Sequence, residues 1–183
     1  VKVLNSIKPM KPESVSERTV CAQYKGYRVE EGVNPESTTP TYAAIRLQID
    51  NWRWQGVPFY LRSGKSLKEK LSQITIEFKK PPLLLFNSAS GNPTPNLLVL
   101  YLQPDEGVHW RFEAKVPDTI SETRSVDMEF HYADSFGKTA LPVSYERLLL
   151  DTVSGDASLF TRADEVETAW GLIDPILQAW DSN

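Results

Sequence analysis

The feature that most narrows the possible folds is an alternation of apolar and polar residues that keeps returning through the middle of the chain. From Thr41 onward, Ala43, Ile45, Leu47 and Ile49 take one side of an extended segment, and Arg46, Gln48 and Asp50 take the other. The same pattern returns at Ile74, Ile76 and Phe78, at Val108, Trp110, Phe112 and Ala114, and at Val126, Met128, Phe130 and Tyr132. A period of two belongs to strands with one covered face. Leu97–Leu102 is continuously apolar instead, which predicts a strand covered on both faces. Arg18–Tyr24 reads as a further, first strand. Pro81-Pro82, Gly91–Pro95 and Pro104–Gly107 punctuate the later strands, and the last is short enough to close a hairpin. The sum is a mostly antiparallel sheet of about six or seven strands.

Both ends of the chain follow other rules. Val1, Leu4 and Ile7 have helical spacing that Pro9 and Pro12 then terminate, so Val1–Ile7 reads as the tail of a helix whose body lies upstream. Gly26–Pro40, rich in Gly, Glu, Asn, Ser, Thr and Pro, is a long loop. After Pro142, Tyr145, Leu148, Leu149 and Val153 mark one helix. Val166, Trp170, Ile173 and Leu177 mark another, opened by Thr161 with Asp164 and Glu165 in its first turn and expected to kink at Pro175. Strands first and helices last predict an α+β fold, a large mostly antiparallel β-sheet with helices packed on one face. The 183 residues suit one domain with one sizeable core. With no initiator Met and a start in mid-element, the chain is expected to be part of a longer protein.

Several functional classes fall away. No apolar run approaches the roughly 20 residues that span a bilayer, so no membrane partner is expected. The net charge of −4 and scattered basic residues argue against nucleic acid. Cys21, the single cysteine, excludes an internal disulfide and a multi-cysteine metal site; it fits a reducing compartment and reads as a buried, inert thiol. His109 and His131 fall on the polar sides of strands with no Cys or carboxylate at ligand spacing, so they read as surface or interface histidines and no metal is expected. No Ser-His-Asp pattern, GxGxxG or P-loop is present. Trp52 and Trp54 read as core or interface anchors rather than a sugar platform. Glu106, Glu146 and Asp151 read as salt-bridge or helix-surface charges rather than an acid–base pair.

The stretch with chemical content is Gly56–Lys70, GVPFYLRSGKSLKEK. Val57, Phe59 and Leu61 alternate with Tyr60 and Arg62, and Ser63-Gly64 should break this strand. Lys65, Lys68 and Lys70 follow the break and Arg62 precedes it. Clustered ammonium groups, a guanidinium fork and the backbone N–H groups of a turn at Gly64 can together hold a phosphate. A cluster of exposed lysines in a loop is more often just solvated surface, and composition alone favours that reading over a phosphate site.

IDNWRWQGVPFYLRSGKSL, Ile49 to Leu67, resembles the signature stretch of the C-terminal domain of glucose-6-phosphate dehydrogenase. VKVLNSIKP, GVNPESTTPTYAA, LQPDEGV, ALPVSYERLLLD and FTRADEVETAW resemble the same family in the same order, across nearly the whole chain. The resemblance implies that residues 1–183 form the large β+α domain that follows a Rossmann-type NADP-binding domain. It implies substrate-binding roles for Lys65, Lys70 and Gln103. Two ammonium groups suit a phosphate dianion, and the Gln103 amide can donate and accept toward sugar hydroxyls, although a polar residue at a strand end also commonly just bonds a loop. The family oxidises glucose 6-phosphate to 6-phosphogluconolactone and reduces NADP, using as base a His backed by an Asp in the N-terminal portion. Neither His109 nor His131 matches it, so no catalytic or cofactor-binding residue is expected in this chain. Pairing of subunits through a sheet face is also implied, with Tyr42, Arg46, Gln48, Arg111, Glu129 and His131 as a mixed surface for it, and so is a cytoplasmic location. Animal members hold a second, structural NADP. Arg62 and Arg111 keep basic character at matching positions, but Leu71, Thr75 and Tyr101 replace cations and His109 replaces a tyrosine, so no structural NADP is expected here. The rival expectation is a noncatalytic sugar-phosphate-binding or dimerisation module derived from that domain.

Overall fold

A computed structural model describes residues 1–80, 87–88, 94–137 and 144–182; Pro81-Pro82, residues 91–93 of the expected turn, and Pro142 lie outside them. In chain order the elements are α1 (Pro12–Arg18), β1 (Thr19–Ala22), β2 (Tyr42–Gln48), β3 (Pro58–Gly64), β4 (Ser72–Glu77), β5 (Asn87–Ser88), β6 (Leu97–Gln103), β7 (Gly107–Lys115), β8 (Glu122–His131), α2 (Tyr132–Phe136), α3 (Ser144–Ser154) and α4 (Ala163–Asp181). The α+β expectation holds, and all strand pairs but one are antiparallel. The strands divide between two sheets, of three and five strands, rather than forming one. They belong to two compact units: Val1–Leu67 with Gly155–Asn183, and Lys68–Ser154. The boundary falls just after β3, past Ser66 with its left-handed φ of 51°, and β3 and β4 belong to different sheets.

In the first unit the order is β1-β2-β3. Ile45 lies opposite Thr19 and Leu61, and Leu47 opposite Phe59, so these residues share one face of the sheet. Met10, Val15 and Ile176 form the core beneath that face, joined by Ile45, Leu47, Ile173, Ala179 and Trp180. Spacings of three and four along α4 aim Ile173, Ile176 and Trp180 at it. Pro12 opens α1 at its first position, where a fixed φ and a missing N–H cost nothing. Proline therefore starts a helix here that the sequence pattern read only as an end. The expected N-terminal helix tail is a single 3₁₀ turn at Leu4–Ser6, and Pro175 lies inside α4, which continues to Asp181.

In the second unit the order is β4-β6-β7-β8-β5. The hairpin over Pro104–Glu106 forms as expected, joining β6 to β7 in antiparallel register. Leu97–Leu102 is not covered on both faces: Val99 is buried, whereas Leu102 is 46% exposed. The apolar face made by β4, β6, β7 and β8 keeps Ile74, Ile76, Met128 and Phe130 exposed. A continuous apolar run fixes the strand but does not say which faces receive a partner. The mixed surface proposed for subunit pairing is likewise split, with Tyr42, Arg46 and Gln48 on one sheet and Arg111, Glu129 and His131 on the other.

Candidate functional site

In the first unit the cationic stretch is carried by β3. Its pairing with β2 runs through Gly64, opposite Tyr42, and the Lys65 N–H extends it by donating to the Thr41 carbonyl at 2.8 Å. Ser63-Gly64 therefore does not break the strand. The left-handed residue is Ser66. Gly64 is required for closeness instead of for an unusual φ, since a Cβ there would meet the Tyr42 ring at 2.8 Å. Arg62 lies opposite Ala44, on the face away from Ile45 and Leu47. Its side chain and that of Lys65 are exposed, and neither has an ion-pair partner among the described residues. A strand end that fixes the backbone of Lys65 while leaving its ammonium free suits capture of an anion.

In the second unit, Lys70 and Gln103 converge through strand register. Ser72 at the start of β4 pairs with Gln103 at the end of β6, and Lys70 stands two residues before Ser72. A register shift between Ser72 and Gln73 interrupts the ladder there. Both side chains are exposed, and Lys70 has no ion-pair partner among the described residues, whereas Lys68 approaches Glu69 at 3.7 Å. Gln103 is joined to Pro104 by a cis peptide bond. The register thus brings the segment of Lys70 to the end of β6, and an ammonium and an amide are the groups that meet a phosphate and a hydroxyl.

Next to Gln103 lies a cluster that the sequence reading missed. His131 Nε2 is 3.0 Å from Glu129 Oε1 and its Nδ1 is 3.0 Å from Asp105 Oδ2. The Tyr101 ring stacks on the imidazole with centroids 5.8 Å apart. The hydrogen bond to Glu129 raises the His131 pKa above its ordinary value; partial burial opposes this, and the charges of Asp105, Glu129 and Asp134 reinforce it. His109 Nε2 lies 2.7 Å from Asp127 Oδ1, a contact that orients its ring. Both histidines thus have carboxylate partners: Glu129 stands two residues from His131 in its own strand, whereas Asp127 and Asp105 arrive from a neighbouring strand and a turn, where sequence spacing hid them. No group of three or more His, Cys, Asp or Glu suited to a metal occurs among the described residues.

Other expected sites resolve simply. Cys21 lies opposite Ala43 on the same face as Thr19 but is exposed, because burial along the edge strand β1 ends at Thr19. Trp54 packs edge-on against Phe59 at 5.3 Å, whereas Trp52 is fully exposed and anchors no core. Asp151 is an ion-pair partner, held by Arg147 one helical turn away at 3.0 Å. No described helix is long and apolar enough to cross a membrane.

Comparison with known proteins follows the same outline. Residues 1–183 match the family model described as glucose-6-phosphate dehydrogenase, C-terminal domain. The chain is 46% identical over 186 residues to glucose-6-phosphate 1-dehydrogenase of Aggregatibacter actinomycetemcomitans, covering 96% of this chain and 37% of that protein. It is 41% identical over 189 residues to the Mycolicibacterium smegmatis protein of the same name, covering 98% of this chain and 38% of that one. The chain thus spans little over a third of the length of these curated relatives. A solved glucose-6-phosphate 1-dehydrogenase from Mycobacterium avium superposes with a TM-score of 0.79 at 35% identity, over 97% of this chain and 36% of that one. A glucose-6-phosphate dehydrogenase solved in complex with its substrate glucose-6-phosphate gives 0.84 at 31% identity, over 97% and 37%.

Proposed function

The chain belongs to the glucose-6-phosphate dehydrogenase C-terminal domain family, and from that membership we propose that it supplies substrate-binding and dimerisation surface to an enzyme oxidising glucose 6-phosphate with NADP. What supports this reading is kinship with proteins that bear that enzyme's name, together with exposed lysines, Lys65 after β3 and Lys70 before β4, that have no ion-pair partner among the described residues. Lys65 and Lys70 each offer an ammonium to the sugar phosphate, and Gln103 offers its amide to a hydroxyl. Arg62 and Gly64 support the first of these, Arg62 with a second positive charge and Gly64 by letting the strand close on Tyr42.

The reaction takes a hydride from C1 to the nicotinamide and a proton from the C1 hydroxyl to a base, leaving the lactone. NADP supplies the hydride acceptor. This chain holds and orients the sugar, and the base and the dinucleotide site belong, on this reading, to the remainder of the enzyme. Subunits pair through a sheet face, a reading supported by the exposed apolar residues of the five-stranded sheet. Sedimentation of the whole enzyme reads this out, and a monomer at micromolar concentration sinks it. As an early carbohydrate-metabolising enzyme of the oxidative pentose phosphate route, it would work in the cytoplasm.

The decisive experiment is NADP reduction at saturating glucose 6-phosphate, run on this chain and on the polypeptide extended upstream. Activity confined to the extended protein is the expected result. Absence of activity in both, with folding intact, replaces the proposal by a noncatalytic module.

A further inference from the structure

At the end of the five-stranded sheet, one imidazole is held between two carboxylates from different elements. Glu129 comes from the same strand as His131, and Asp105 comes from the turn that follows Gln103. Tyr101 of β6 covers the ring, and the side chain is only 24% exposed. The turn is tied to the same place by its backbone, because the Tyr132 N–H donates to the Glu106 carbonyl at 3.0 Å. Gly107, opposite His131 in the ladder, leaves room for this approach: a Cβ there would run into the Phe130 carbonyl and reach 3.0 Å from His131 Nδ1. The charges acting on the ring are Glu129 from β8, Asp105 from the turn and Asp134 from α2; Glu106 follows Asp105 in the turn, and the His109–Asp127 pair lies on the adjoining strands.

Neutral imidazole carries one N–H and one lone pair. With the hydrogen on Nε2 it donates to Glu129 and turns a lone pair toward Asp105. Imidazolium instead keeps the Nε2 hydrogen bond to Glu129 and sets a positive charge beside Asp105. The Asp105 contact is an ion pair without the angles of a hydrogen bond, so its attraction depends on the charge of the ring. Protonation thus decides whether Asp105, and the turn that carries it, is drawn to β8.

We propose that His131 is a positioning residue for substrate binding: its charged ring ties the turn after Gln103 to β8 and holds the Gln103 amide ready for the sugar. The proposal rests on the substrate-binding role given to Gln103. The amide has no hydrogen-bond partner of its own among the described residues, so its orientation depends on the backbone on either side of it. One side is fixed by pairing with Ser72, and the other is the turn held by His131.

The test uses the whole enzyme and its KM for glucose 6-phosphate from about pH 6 to 8.5, a range bracketing the ordinary histidine pKa. His131→Gln, Asp105→Asn, His131→Arg and Gln103→Ala are compared with wild type, with urea unfolding as the control for folding. Titrations of the substrate phosphate and of the catalytic base cancel in the ratio of variant to wild-type KM. For His131→Gln the ratio should be roughly fivefold at the acid end and fall toward one as pH rises. The effect should lie on KM rather than kcat, Asp105→Asn should behave alike, and His131→Arg should restore low KM without the pH dependence. If His131→Gln fails to fold, Asp105→Asn in its exposed turn carries the same prediction. Ratios flat across pH, with Gln103→Ala still raising KM, overturn the role of His131 and leave the pocket reading standing. An unchanged KM in Gln103→Ala overturns both.

Discussion

The indole N–H of Trp180 donates to the hydroxyl of Thr19 at 2.9 Å, and that hydroxyl donates onward to the Val15 carbonyl at 2.7 Å. Three segments thereby meet at one buried oxygen: α1, the first residue of β1 and the end of α4. Thr19 is 9% exposed and satisfied both as donor and as acceptor, which is what allows a hydroxyl to sit beside Val15 and Ile176. Trp180→Phe keeps most of the ring and removes the donor, so a loss of about 1 kcal/mol is expected by urea unfolding.

Ile176 is 1% exposed at the centre of the same core. Ile176→Ala should cost about 2–5 kcal/mol, from lost burial and the cavity left behind. A cost below that of Trp180→Phe would show that α4 is not the main cover of the three-stranded sheet.

Lys65 presents an ammonium with no ion-pair partner among the described residues. Lys65→Ala in the whole enzyme should raise KM for glucose 6-phosphate by at least about tenfold, the scale of a lost charge-assisted hydrogen bond. Stability should hardly change, since the side chain is exposed and its backbone bond to Thr41 survives. An unchanged KM removes Lys65 from the site.

At Gly107 the neighbouring strand comes too near for any side chain. Gly107→Ala must push β7 from β8 and is expected to cost about 1–3 kcal/mol. The readout is the unfolding midpoint, with faster hydrogen exchange at Tyr132, whose N–H bonds the adjacent Glu106 carbonyl.

Stability should also depend on pH through His131. Its folded-state pKa is raised, chiefly by the hydrogen bond to Glu129. The stabilisation is therefore complete below the unfolded value of about 6.5 and is lost as pH rises through the higher folded value. Wild type minus His131→Gln, measured by unfolding across that window, should decline toward alkaline pH; a constant difference removes the charge from the explanation.

Much of the fold was legible because its signals are local. Ile45 and Leu47 alternate as a strand must, and Ile173 and Leu177 recur as a helix must, so strands and helices were readable in order. What escaped depends on neighbours distant in sequence. Nothing within β6 says that Leu102 stays exposed; at Pro12 a start signal was present, proline followed by Glu13, but the helix it opens is too short to show an apolar repeat. The site followed the same division. Lys65 stands out in its own segment, whereas the relation of Lys70 to Gln103 exists only through the Ser72 register. His131 was visible as a histidine but not as a bridge, because Asp105 reaches it from 26 residues away in the chain.

The first unit is assembled from two pieces of chain, Val1–Leu67 and Gly155–Asn183, with the whole second unit inserted between them. During synthesis the three-stranded sheet must therefore wait, with Met10 and Val15 uncovered, until α4 has emerged from the ribosome. The inserted unit is under no such delay, since all its strands emerge before Gly155. A nascent chain arrested just short of α4 should bind holdase chaperones through this unfinished face, and release should coincide with the appearance of Ile176 and Trp180. Truncation ahead of α4 would impose the same unfinished state permanently.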